Sequence, residues 1–127
     1  MKFFNYHKGK TGEEIARNFL TKKGCQIIKS NFQSRFGEID LIAVLNKTLI
    51  FVEVKLKTGE QFGSPEEMIN PRKLRQIQNM AAVFIQQNPQ LANDYPSYRI
   101  DAVCIVLNDD GSVLRINHYE NIGNEMV

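Results

Sequence analysis

Apolar and polar positions along this chain alternate in a way that spells a helix, three strands, a longer helix and two more strands. Ile15, Ala16, Phe19 and Leu20 recur at i, i+1, i+4 and i+5, the stripe of an amphipathic helix opening at Thr11 or Gly12. Lys22-Lys23-Gly24 ends it with basic residues and a glycine stop. Residues 25–32 read as a first strand, Arg35-Phe36-Gly37 as a turn, and residues 38–45 and 48–56 as a second and third strand. Residues 57–67, with Gly59, Gly63 and Pro65, read as a loop. Asn70-Pro71 is an N-cap followed by a first-turn proline. It opens a helix striped by Leu74, Ile77, Ala81, Phe84 and Ile85, which Asn88-Pro89 ends. Residues 98–107 form another strand, and Asp109-Asp110-Gly111 turns it into a last one, Val113 to Tyr119. The predicted order is αβββαββ, an α/β fold with a central mixed sheet flanked by helices.

The tight hairpin at Leu45-Asn46-Lys47-Thr48 carries the most information. With Asn46-Lys47 as a two-residue loop, pairing joins residues whose numbers sum to 93, which sets Asp40 across from Glu53. Cross-strand partners have Cβ atoms about 5 Å apart, and like charges there repel. Glu53 and Lys55 share a face of their strand, in a run otherwise made of Ile, Phe and Val that marks burial on both faces. Burying such charges unpartnered costs several kcal/mol, roughly, and a divalent cation between the carboxylates relieves it. Asp40 and Glu53 are hard oxygen ligands suited to Mg²⁺ or Mn²⁺, with the carbonyl of Val54 as a further ligand. Lys55 is placed to position an attacking water and stabilise charge growing on a phosphate. The loop over residues 57–67 is expected to lie over this site. The competing reading is an exposed hairpin with a Glu38–Lys55 salt bridge, which the same register permits and the apolar run disfavours.

At 127 residues, with 43% hydrophobic and 24% charged positions, the chain is expected to form one soluble domain. Its net charge of +2 is unevenly spread. Residues 1–75 hold 14 of the 16 Lys and Arg against 8 acids, whereas residues 76–127 hold 2 bases and 6 acids. Basic residues thus surround a small acidic spot, an arrangement suited to a polyanion whose phosphate must reach a cation. The first ten residues read as a basic, mobile arm. Cys25 and Cys104 have no metal-ligand spacing and read as buried, reduced core residues. The N-terminal residues lack the apolar core of a signal peptide, and no run approaches the ~20 apolar residues of a membrane span. A cytoplasmic protein is expected.

Taken together, Gly12-Glu13-Glu14-Ile15-Ala16, Asn31 ahead of Phe36-Gly37-Glu38-Ile39-Asp40-Leu41-Ile42-Ala43, and Phe51-Val52-Glu53-Val54-Lys55 resemble a known group. Phe62-Gly63-Ser64-Pro65, Pro71-Arg72-Lys73 and Arg99-Ile100-Asp101 follow in the same order. The chain resembles the restriction-endonuclease-like superfamily with its PD-(D/E)xK core, and within it the bacterial YraN family of predicted endonucleases, itself similar to archaeal Holliday-junction resolvases. The resemblance implies an αβββαβ core and a metal-dependent site at Asp40, Glu53 and Lys55. It also implies that Glu13 on the first helix joins the metal cluster. Leu56-Lys57 stands where the family usually has Thr then Arg, keeping a base at Lys57 for phosphate. A homodimer is implied by analogy with the resolvases.

Arg72, Lys73 and Arg75 open the long helix, where free backbone N–H groups favour an anion, so DNA-backbone contacts are expected there. Gln76, one turn after Arg72, is within reach of the cluster. Arg99 and Asp101 share a strand face and read as a structural ion pair. His7 and His118 have no carboxylate or cysteine at ligand spacing and read as surface or satisfied histidines. No nucleophile triad or phosphate-binding glycine loop is present, and the aromatics do not interleave with basic residues as in a single-strand stacking platform. The functional expectation is a nuclease cutting phosphodiester bonds in DNA, branched or damaged DNA above a short sequence motif. The alternatives are a non-catalytic nucleic-acid-binding accessory protein working with a partner in DNA processing, and a structural interaction domain.

Overall fold

The computed structural model describes residues 8–123. Helix α1 (Lys8–Lys22) leads into strands β1 (Gln26–Ser34), β2 (Gly37–Leu45) and β3 (Thr48–Thr58). A 3₁₀ turn (Pro65–Met68), helix α2 (Pro71–Gln87) and short helix α3 (Pro89–Asp94) follow, then strands β4 (Ser97–Leu107) and β5 (Val113–Tyr119). The five strands lie in sequence order, with β3 and β4 parallel and the other pairs antiparallel. The architecture is α/β, a five-stranded mixed sheet flanked by helices, as in a restriction-endonuclease-like core.

The alternation of β3 builds a core on each side of the sheet. Ile50 and Val52 face α1 and pack with Ala16, Leu20, Leu41 and Val103. Leu49 and Phe51 face α2 and pack with Leu74, Ile77, Ala81 and Phe84. Phe51 meets Phe84 and Tyr98 edge-on, with ring centroids 5.8 and 5.9 Å away. Truncating so central a ring to alanine typically costs about 3–5 kcal/mol. β3 is therefore buried on both faces, and the strand that carries Glu53 and Lys55 cannot shift register without turning both cores inside out.

The α2 boundaries follow from capping. Asn70 accepts a hydrogen bond from the Lys73 amide at 2.8 Å, and Pro71 occupies the first turn, where its missing N–H costs nothing. Two expectations, on the N-terminal arm and on the loop after β3, need correction. Of the arm assigned to residues 1–10, residues 1–7 (with His7) lie outside the described residues, and Lys8–Lys10 belong to α1. Asn88-Pro89 does end α2, but the proline that cannot continue one helix starts the next, so α3 follows at once. The expected loop over residues 57–67 is shortened by β3, which runs on to Thr58, and by the 3₁₀ turn at Pro65. Among the described residues no helix is long and apolar enough to cross a membrane.

Candidate active site

Every pair between β2 and β3, from Leu45 with Thr48 to Leu41 with Val52, follows the predicted hairpin register. Asn46 makes this possible by adopting a positive φ of 56°, a conformation asparagine tolerates in two-residue turns. Beyond Leu41 and Val52 the two strands part, and there stand Asp40 and Glu53. The Val54 amide, released from pairing with β2, donates to Asp40 Oδ2 at 2.8 Å.

Glu53 is 2% exposed, so its charge must be met inside the protein. Lys55 Nζ and Lys73 Nζ each lie 3.2 Å from the same oxygen, Oε2. Among the described residues no such cation contacts Asp40. Burial first, and then the Glu53 charge beside it, push its carboxyl up to about 7, and the Val54 amide offsets only part of that rise. The pair is thus asymmetric, with one carboxylate balanced by two ammonium groups and its neighbour holding a proton near neutrality. The competing Glu38–Lys55 bridge is not formed; Glu38 accepts instead from Gln33 Nε2 at 3.0 Å.

A cleft of about 890 Å³ opens beside the pair, lined by Glu13, Asn31, Asp40, Val54, Lys55 and Met68 among others. Glu13 faces it but is tied sideways, accepting from Asn31 Nδ2 at 3.1 Å and from Arg17 at 3.4 Å. Asn31 reaches it from a position with φ of 53°. Among the described residues no three His, Cys, Asp or Glu side chains gather as a metal-holding group. The close carboxylate pair is Asp40 with Glu53, and Glu13 lines the same cleft without joining them.

The residues expected to touch a nucleic-acid backbone divide. Arg72 and Arg75 are exposed on the first turns of α2. Lys73 points to the site, where its Nζ also meets Gln76 Oε1 at 3.3 Å. Gln76 does reach the cluster, through Lys73, and its Nε2 donates to the Phe36 carbonyl at 2.8 Å. Gly37 is what allows this approach. It has a φ of 142°, and a Cβ there would stand 2.5 Å from Gln76 Nε2. Lys57 Nζ donates to the Phe62 carbonyl at 3.2 Å, holding the loop beyond β3.

Residues 12–105 match the Uncharacterised protein family UPF0102. The chain belongs to this family. It is 38% identical over 117 residues to a UPF0102 protein of Syntrophomonas wolfei, covering 92% of this chain and 97% of that one. A UPF0102 protein of Caldicellulosiruptor bescii is 41% identical over 109 residues, covering 86% and 90%. The UPF0102 span takes in Glu13, Asp40, Glu53, Lys55 and Lys73, so the whole of the site lies within it.

A second buried charge cluster of this UPF0102 chain escaped sequence reasoning in part. Arg99 and Asp101 form the expected ion pair at 3.0 Å. Asp101, wholly buried, also contacts His118 Nε2 at 2.8 Å and accepts from the Asn121 amide at 2.9 Å. His118 is therefore satisfied, by a carboxylate that no sequence spacing brings near it. Lys23 Nζ lies 2.9 Å from His118 Nδ1, and an ammonium only donates. Nδ1 must accept, so the ring proton sits on Nε2 and donates to Asp101. Burial alone would raise the Asp101 carboxyl, but His118, the Asn121 amide and Arg99 outweigh it and hold it below the ordinary value. This cluster staples α1, β4 and β5 together, on the α1 side of the sheet. Cys25 and Cys104 are free and buried, and burial pushes Cys104 up to about 12, which keeps it an unreactive thiol.

Proposed function

We propose that this protein is a metal-dependent nuclease hydrolysing phosphodiester bonds in DNA. The observation that carries the reading is the Asp40–Glu53 pair, two carboxyls forced together where β2 and β3 part, beside a lysine two residues on and an open cleft. The donor set fits Mg²⁺ or Mn²⁺, being hard oxygens with room for waters. Burial and then the Glu53 charge hold a proton on Asp40, and the repulsive part of that strain is what such a cation would remove. A bound divalent ion supplies neutralisation of the charge that develops on the phosphoryl oxygens. Lys55, held against Glu53, is positioned to orient the attacking water and to stabilise that charge. Arg72 and Arg75, exposed on the first turns of α2, would take up backbone phosphates, and Lys57 lies further along β3. Val54 and Glu13 line the same cleft, and a carbonyl from the first and the carboxylate of the second, once released from Asn31 and Arg17, would be the further ligands.

The test is cleavage of labelled single-stranded, duplex, flap and four-way-junction DNA with Mg²⁺ or Mn²⁺, beside chelator controls and Glu53→Ala. Metal-dependent cutting that disappears in Glu53→Ala is the expected result. Absence of cutting on every substrate removes the reading. The same reading places the protein in the cytoplasm and suits a homodimer cutting paired strands, which light scattering in solution checks.

One observation favours a second reading. Lys55 and Lys73 already neutralise Glu53 without a metal, as a nucleic-acid-binding accessory protein that cuts nothing would also allow. In that case Asp40→Ala and Glu53→Ala leave salt-dependent DNA affinity intact, and a partner supplies the chemistry.

A further inference from the structure

Two phenylalanines stand in solvent on the flanks of the Asp40–Glu53 pair. Phe62 is 87% exposed and Phe36 47% exposed, and neither belongs to the two cores. The backbone of each is nevertheless held by a side chain, and the one that holds Phe36 leads back to Glu53. The Phe62 carbonyl accepts from Lys57, which lies on the same face of β3 as Lys55, one pleat repeat or about 6.6 Å further along. The Phe36 carbonyl accepts from Gln76, and Gln76 meets Lys73, which holds Glu53.

The segment carrying Phe62 has further anchors. Glu60 binds Arg115 at 3.0 Å, and Ser64 and Glu67 exchange hydrogen bonds as a capping box. Gly59 and Gly63 take positive φ values of 70° and 106° on either side of the ring, turning the chain outward. A cation lies near each residue: the Lys57 ammonium is bonded to the Phe62 carbonyl, and the Arg35 guanidinium is 4.9 Å from the Phe36 ring centroid. Linear sequence hides this interleaving, because the contacts between Phe62 and Lys57 and between Phe36 and Gln76 are made by folding.

An exposed ring on a fixed backbone beside a cation offers an unpaired base a surface to stack on and its phosphate a counter-charge. Duplex DNA keeps its base faces inside the stack, where such rings find nothing to grip. We propose that Phe62 and Phe36 are base-stacking residues that select DNA with unpaired bases, single-stranded or branched, for the Asp40–Glu53 site. This inference rests on the nuclease reading and names its substrate class.

The chain contains no tryptophan, so Phe62→Trp installs a single fluorescent reporter at the ring in question. Titration with a short oligothymidylate is expected to quench its emission, and a blunt duplex to quench it far less. Phe62→Ala is expected to weaken oligothymidylate binding by about 5- to 150-fold, the range that loss of one stacked base implies. Its Mn²⁺ affinity by calorimetry stays at the wild-type value, and circular dichroism checks that it is folded. Unchanged emission at saturating DNA, or equal single-strand affinity of Phe62→Ala and wild type, overturns the inference. Quenching that follows protein concentration without DNA also overturns it and assigns the ring to self-association. Quenching of Phe62→Trp by oligothymidylate, together with a wild-type protein that cuts no DNA, leaves the stacking role standing and removes the nuclease reading alone.

Discussion

Lys73 Nζ, delivered by the first turn of α2, rests 3.2 Å from the Glu53 oxygen that Lys55 also contacts. Lys73 is therefore an internal cation in the place a divalent ion would neutralise. Lys73→Met, which keeps the aliphatic stem and removes the charge, is expected to bind Mn²⁺ more tightly by roughly fivefold, equivalent to about 1 kcal/mol. The same variant is expected to be less stable than wild type without metal. Calorimetry and thermal melts read the two effects separately, and an unchanged affinity would show that Lys73 does not compete.

The asymmetry of the pair gives its two carboxyls opposite effects on stability. Asp40→Asn keeps an acceptor for the Val54 amide and removes the repulsion on Glu53, so it is expected to stabilise the metal-free protein by about 1–2 kcal/mol at pH 8. Glu53→Gln leaves Lys55 and Lys73 without their counter-charge and is expected to destabilise by about 1–3 kcal/mol. Both lose divalent-ion binding. Melting curves in a chelator at pH 8 distinguish them, and a common direction of shift would refute the assignment.

Proton competition sets the pH dependence of metal affinity. Asp40 has its carboxyl raised from 3.8 to about 7, so the folded protein holds that proton more firmly than the unfolded chain does. Its contribution to stability is full below the unfolded value and is lost as pH rises through about 7. Mn²⁺ binding requires the ionised form. Affinity is expected to climb about tenfold per pH unit up to that value and then level off. Calorimetry between pH 5.5 and 8.5, roughly spanning the transition, checks it.

Gly37 holds the α2 side of the site by having no side chain. Gly37→Ala sets a Cβ 2.5 Å from Gln76 Nε2 at a φ of 142°. The expected cost is about 1–3 kcal/mol, together with altered metal affinity as Gln76 and Lys73 are pushed from Glu53. A melt with a binding isotherm for this variant is sufficient, and wild-type values in both would show that the contact relaxes freely.

The Asp101 cluster is structural and is expected to behave so. Asp101→Ala takes the buried His118 from its carboxylate partner and leaves Arg99 with Glu120 alone, at a cost of about 3–5 kcal/mol. Because its donors depress the Asp101 carboxyl, the stability it provides is present above the ordinary carboxylate range and lost as pH falls. The folded fraction of His118→Ala, although destabilised, should bind Mn²⁺ as wild type does. A changed metal affinity would tie this cluster to the site.

The local features of the fold were legible because local chemistry determines them. Asn46 in a two-residue turn fixes the register of β2 on β3, and that register alone brings Asp40 to Glu53. Asn70 and Pro71 announce α2 in the same way. The contacts that define the electrostatics were not legible. Lys73 meets Glu53 only after the crossover between β3 and β4 has folded, and His118 meets Asp101 only once β5 has paired with β4 in its own register. The sequence argument that a buried pair calls for a metal also weighed only the charges of the hairpin. The lysine of α2 halves the problem from a distance that periodicity does not register.

The crossover between β3 and β4 bears on the order in which the chain assembles. The β2–β3 hairpin is a local structure that can close early, whereas Lys73 reaches Glu53 only when α2 docks on the sheet. In the interval the hairpin holds two carboxylates side by side with Lys55 alone to balance them. A proton on Asp40, or a divalent ion caught between the strands, removes that kinetic obstacle. Refolding should therefore run faster in mild acid or with Mn²⁺ present than in a chelator at pH 8, and on the metal-dependent reading a nascent chain would meet the ion before it meets its second lysine.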